Sequence, residues 1–141
     1  MKRLPDWRIR LSAALDEIEA MPHSFAGHDC AIGLGSTVVE AVTGVDIAAP
    51  FRGRYSTAEG ALKLIRTEGA KDLPDLLERY FERVPASEGR AGDIAMIEGT
   101  APFGCALGCF IGERIIVLRP EGKGSVDRSQ AIGAFRVGDD A

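Results

Sequence analysis

The hydrophobic rhythm of this sequence changes once, near Ala91-Gly92-Asp93, and that change constrains the fold class more than any other feature. Before it, apolar residues recur at helical spacing, on one face of successive segments. After it, they come in short unbroken runs between glycine-marked turns, as strands do. Helices first and strands second exclude the βαβ alternation of a parallel sheet and predict an α+β domain. The 141 residues suit one domain around one core. The domain is expected to span residues 1–141, with 137–141 as a frayed tail.

The helical half divides at its own punctuation. Asp6 is placed to cap a first helix from Trp7 to Ala20, with Trp7, Leu11, Ala14, Leu15 and Ile18 on one face. Pro22 ends it. Asp29 reads as the cap of a second helix that carries Cys30 in its first turn and runs to Thr43, with Gly44 at the C′ position. This helix is rich in Ala, Gly and Ser, a composition that suits a central, closely packed helix. Residues 45–55, VDIAAPFRGRY, read as an irregular connection. Ser56 and Glu59 form a capping-box pattern for a third helix that Gly69 closes. Asp72 caps a fourth, from Leu73 to Arg83. In the second half, strands are predicted at IAMIE after Asp93, from Cys105 to Ile111, from Ile115 to Leu118 and from Phe135 to Val137. Gly112-Glu113 suits a two-residue hairpin turn. Gly122, Gly124 and Gly133 read as turns.

Composition removes several function classes. With 17 basic and 21 acidic residues, the formal charge is −4, and no clustered basic surface marks a nucleic-acid binder. No apolar run reaches the roughly 20 residues that span a bilayer. The charged start MKRLPDWRIR lacks the apolar stretch of a signal peptide. Three cysteines and two histidines support neither a disulfide framework nor a zinc site. Cys105 and Cys109 read as buried free thiols. No metal and no cofactor is expected.

Chemistry concentrates at Cys30. A cysteine in the first turn of a helix faces unpaired backbone N–H groups and the positive end of the helix dipole, which favour the thiolate. The same N–H groups can stabilise an oxyanion. The alternative is a small buried cysteine that happens to fall near a helix start. Asp29 serves as N-cap or contacts a ligand. Arg52 and Arg54 either anchor their own loop or present charge to an acidic ligand. Asp93 is expected to fix the turn before the first core strand through side-chain to backbone bonds.

The segment FAGHDCAIG resembles the cysteine motif of the NlpC-type papain-fold peptidases. AGDIAMIE resembles that family's Gly-Asp turn into its first core strand, and ALGCFIGERIIVL its next hairpin. The set GHDC, TGVD, FRGRYST, AGDIAMI and AFRV is similar to an uncharacterised branch of the family found in phages and prophages of proteobacteria. The resemblance covers residues from about 5 to 138. It implies a papain-like fold in which a helix bearing Cys30 packs on a C-terminal antiparallel sheet. It also implies hydrolysis of amide bonds in peptidoglycan peptides through a thioester at Cys30.

The same resemblance exposes two departures. The family's general base is a histidine opening the second core strand. Ala106 matches that position here, or Cys105 if the register slips by one. The third polar group comes from the following strand, which here reads IIVL. Of the two histidines, His28 precedes Cys30 by two residues and is the substitute base to consider, while His23 has less claim. The primary expectation is therefore a phage tail-tip or tail-assembly component with an inactive cysteine-peptidase fold. It would be made in the bacterial cytoplasm, built into the virion tail and partnered by other tail proteins. The alternative is an active cysteine hydrolase that cleaves peptidoglycan peptides through Cys30.

Overall fold

A computed structural model describes residues 1–20, 34–99, 105–119 and 122–139. The described chain is α+β. Helices α1 (Trp7–Ala20), α2 (Ser36–Thr43), α3 (Ala58–Thr67) and α4 (Leu73–Leu77) precede strands β1 (Glu82–Val84), β2 (Ile94–Ile97), β3 (Ala106–Phe110), β4 (Arg114–Arg119), β5 (Gly122–Asp127) and β6 (Ala131–Arg136). The strands form one antiparallel sheet in the order β1-β6-β2-β3-β4-β5.

The helices form where apolar spacing and caps agree. α1 buries Leu11, Ala14 and Ile18, the face its spacing marks. α2 ends as its sequence requires, with Gly44 left-handed and its N–H bonded to Glu40 O. At its described start, Gly35 is already in the right-handed helical region, so the helical path extends back beyond Ser36. The expected start at Asp29 and Cys30 lies outside the described residues. α3 is capped by Thr57, whose side chain accepts from Gly60 N, one residue later than the Ser56 capping box. Its end is a Schellman turn, with Gly69 N bonded to Arg66 O and Ala70 N to Ile65 O. Asp72 caps α4 through Asp75 N.

The second half departs from expectation in four places. α4 stops at Leu77, and Glu82 and Arg83, read as the end of that helix, belong to β1, which pairs with β6. Gly122 and Gly124, read as turns, lie within β5. Gly133 lies inside β6, where a Cβ would sit 2.4 Å from Met96 Cε, so a side chain there would require the flexible end of Met96 to move. The tail is also not frayed at 137–139. Val137 is buried, Lys2 and Asp139 form a parallel bridge, and Arg3 N donates to Asp139 O at 2.9 Å.

The sheet separates two apolar clusters. Toward the helices, Ile94, Met96, Cys105, Leu107, Cys109, Ile116, Leu118, Phe135 and Val137 pack with Ile18, Leu34, Val38 and Val42. On the other face, Ala95, Phe110, Ile115, Val117 and Ala134 form a smaller cluster. Period-2 alternation along each strand produces this division.

One buried polar group joins the two ends of the chain. Asp93 has no exposed surface. Its Oδ1 accepts from Arg3 Nη2 and from Val137 N, both at 2.9 Å, and its Oδ2 accepts from Arg90 N at 2.9 Å. Arg136 Nε and Arg90 Nε approach Oδ2 at 3.3 and 3.7 Å. Arg3, also buried, donates its remaining groups to Val137 O and Ala91 O and lies 4.3 Å over the Trp7 ring. Gly92 makes this turn possible, because its φ of +89° is strained for any side chain. Asp93→Ala strands buried guanidinium charge, so it should lower unfolding free energy by about 3–5 kcal/mol. Urea denaturation of both proteins measures this; a loss below about 1 kcal/mol contradicts the assignment.

Candidate functional site

The positions expected to carry chemistry fall into two groups. Cys30, His28, Asp29 and His23 lie outside the described residues. The strand positions that the resemblance sets opposite them lie within the described residues. Thr43 meets Gly138, and Leu4 N donates to Val42 O, so the C-terminal end of α2 lies at the end of the sheet where Asp93 opens β2. Cys105 lies at the opposite end of the sheet, because β3 runs antiparallel to β2 with Ile97 opposite Ala106 and Ile94 opposite Cys109. Leu34, before α2, is buried in the same core as Cys105.

Strand alternation decides which residue at the head of β3 faces the helices. Leu107 and Cys109 belong to the helix-side cluster, and Phe110 to the other. Ala106 shares the face of Gly108 and Phe110, whereas Cys105 is buried in the helix-side core. The helix-facing place at this strand head is therefore taken by Cys105 and not by Ala106, the two positions that the resemblance offers for a base histidine. From Cys105 to Phe110 and from Ile115 to Leu118 the chain carries no imidazole and no carboxylate.

Cys109 is a poor nucleophile. Burial pushes the Cys109 thiol up to about 12, because a thiolate in an apolar interior loses its hydration. Its Sγ donates to Phe110 O. Both Cys105 and Cys109 are buried, as the sequence led us to expect.

Arg52 is engaged by its own loop, and Arg54 by that loop and the end of α3. Arg52 makes a forked pair with Asp46, at 2.9 and 3.2 Å. Arg54 donates to Pro50 O and to Glu68 Oε1. The Arg52 hydrogen bond, opposed by partial burial, holds the Asp46 carboxyl below its usual range. These contacts order residues 46–54 and leave Arg52 and Arg54 about half exposed on their side chains.

Sequence reasoning found the turn role of Asp93 but not its partners. Arg3 and Arg136 converge on it from opposite ends of the chain, and no local spacing signals that meeting. A shallow cleft of about 110 Å³ lies at the same end of the sheet, lined by Met1, Tyr80, Glu82, Arg136 and Asp139 among others. Among the described residues, no group of three or more His, Cys, Asp or Glu side chains could hold a metal ion. No described helix is long and apolar enough to cross a membrane.

Residues 2–137 match the profile of a family described as a domain of unknown function, DUF6950. The chain belongs to that family. No curated protein matches the chain.

Two measurements check this geometry. Iodoacetamide at pH 8 should leave Cys105 and Cys109 unlabelled in the native protein and label both after denaturation; native labelling of Cys109 contradicts its burial. Arg52→Ala should cost less than about 1 kcal/mol, as an exposed ion pair does. Because the Asp46 carboxyl titrates below its unfolded value, this contribution is present above the ordinary carboxylate range. It is lost as pH falls through the folded value. A larger loss in urea denaturation contradicts a surface role.

Proposed function

We propose that this chain is a phage tail-tip or tail-assembly component, built on a papain-like fold of NlpC type that no longer supports catalysis. The observation that carries the loss of catalysis is the side-chain inventory opposite the cysteine helix. A thiol protease or amidase needs a base within hydrogen-bond reach of sulfur and a third group to orient that base. The strands that would supply them offer Cys105, Ala106 and Leu107, followed by Ile115 to Leu118. Both histidines of the chain, His23 and His28, precede Cys30 in the same short stretch. A base contributes about 10²–10⁴-fold to such reactions, so its loss removes turnover on a useful timescale.

The α+β order, with helices followed by an antiparallel sheet, supports the papain-like reading. So does the Gly92-Asp93 turn into the first core strand of the predicted set. The tail assignment rests on the motif resemblance to phage and prophage sequences. In this reading the retained fold supplies a rigid surface for neighbouring tail proteins.

Two experiments test the proposal separately. Incubated with peptidoglycan fragments, the protein should release no more free amine than Cys30→Ala does. Release that depends on Cys30 overturns the loss of catalysis and favours the active hydrolase. Mass spectrometry of purified phage particles and tail intermediates should detect the chain at fixed stoichiometry. Its absence from both overturns the tail assignment.

A further inference from the structure

The two edges of the sheet are unequal. β1 closes one edge with three residues, the kind of short strand that offers little to a partner. β5 closes the other with six residues, no proline and an unbroken ladder to β4. Among the described residues, no strand pairs with the outer side of β5.

The hydrogen-bond parity of the ladder tells which β5 groups face outward. Ile111 N donates to Arg114 O at 3.0 Å, so Arg114, Ile116 and Leu118 direct their main chain toward β3. Ile115, Val117 and Arg119 then face β5 and bond Val126, Gly124 and Gly122, their register partners. Arg128 N bonds Glu113 O at 3.0 Å with the same parity. The main-chain groups of Lys123, Ser125 and Asp127 therefore point out of the sheet.

That outward row is occupied at its centre. The Arg114 side chain crosses the edge, its Nη2 donating to Ser125 O and Ser125 Oγ, both at 3.0 Å. Nε adds a 3.3 Å contact to Ser125 Oγ. A cation placed on the middle carbonyl of an edge strand blocks strand addition there.

The residues flanking that cap are complementary to themselves. In an antiparallel pairing of two copies about Ser125, Ser125 faces its own counterpart. Lys123 faces Asp127 of the other copy at both ends. All three outward residues share one face, so both charge pairs meet on the same side. Lys123 sits 3.4 Å from Glu19 in the isolated chain, and Asp127 accepts from Ser129 N. Both lie on the edge strand.

We propose that the outer edge of β5 is a strand-pairing surface for a second copy of this chain, held shut by the Arg114 side chain. This inference stands independently of the proposed tail role. It is tested by sedimentation velocity across a concentration series on the full chain, with thermal melts confirming that each variant is folded. Wild type should sediment as a monomer. Arg114→Ala should show a mass that doubles as concentration rises. Adding Lys123→Glu places like charges at both ends of the pairing and should raise the dimer dissociation constant about tenfold. The swapped combination of Lys123→Asp and Asp127→Lys in the Arg114→Ala background should restore it. A folded Arg114→Ala that stays monomeric overturns the proposal, as does a dimer indifferent to Lys123→Glu. A wild-type dimer overturns the closed state. Open-ended aggregation of Arg114→Ala in place of a dimer overturns the choice of partner.

Discussion

The fold is tied together by one buried carboxylate. Asp93 lies where the chain passes from its helical half into the sheet. It holds the side chain of Arg3 from the first strap of chain and the main chain of Val137 from the last. Three guanidinium groups gather round one carboxylate, and the excess charge is spread over carbonyls. Arg3 donates to Val137 O and Ala91 O, and Arg136 to Glu88 O. Removing one partner of such an arrangement leaves buried charge unpaired, which costs more than the pairing itself contributes. By comparison, the exposed pairs Arg52–Asp46 and Arg83–Glu78 count for little.

This constraint sets where the helices can stand. The strap that carries Arg3 also bonds Val42 through Leu4 N, which pins the C-terminal end of α2 to the Asp93 end of the sheet. Behind it, Val38, Val39 and Val42 are buried completely or nearly so. The residues before α2 in sequence, Cys30 among them, are thus attached to a helix whose far end is fixed. The sheet side that faces α2 is apolar along β3 and β4, which suits packing and does not suit proton transfer.

Much of this was legible in the sequence, for identifiable reasons. α1 and the ends of α2 and α3 were readable because apolar spacing and helix-ending glycines agreed. β2, β3 and β4 were readable as apolar runs. β5 was not, because GKGSVD has no such run; backbone pairing with β4 makes it a strand. β1 was not, because Glu82 and Arg83 suit a helix in isolation, and pairing with Arg136 and Phe135 overrides that preference. In the candidate site, the absence of a base on β3 and β4 was plain from residue types. That Cys105 rather than Ala106 faces the helices needed the strand register. The Arg3–Asp93 pair, 90 residues apart in sequence, could not be read from local pattern.

The proposed loss of catalysis requires that Cys30 lack an activating base. The rate of its alkylation by iodoacetamide against pH, read peptide by peptide, tests this most directly. The account predicts a midpoint near that of an ordinary thiol, about 8.5, that does not move in His28→Ala. A reactive thiolate with a midpoint about two units lower, shifting when His28 is replaced, would contradict it.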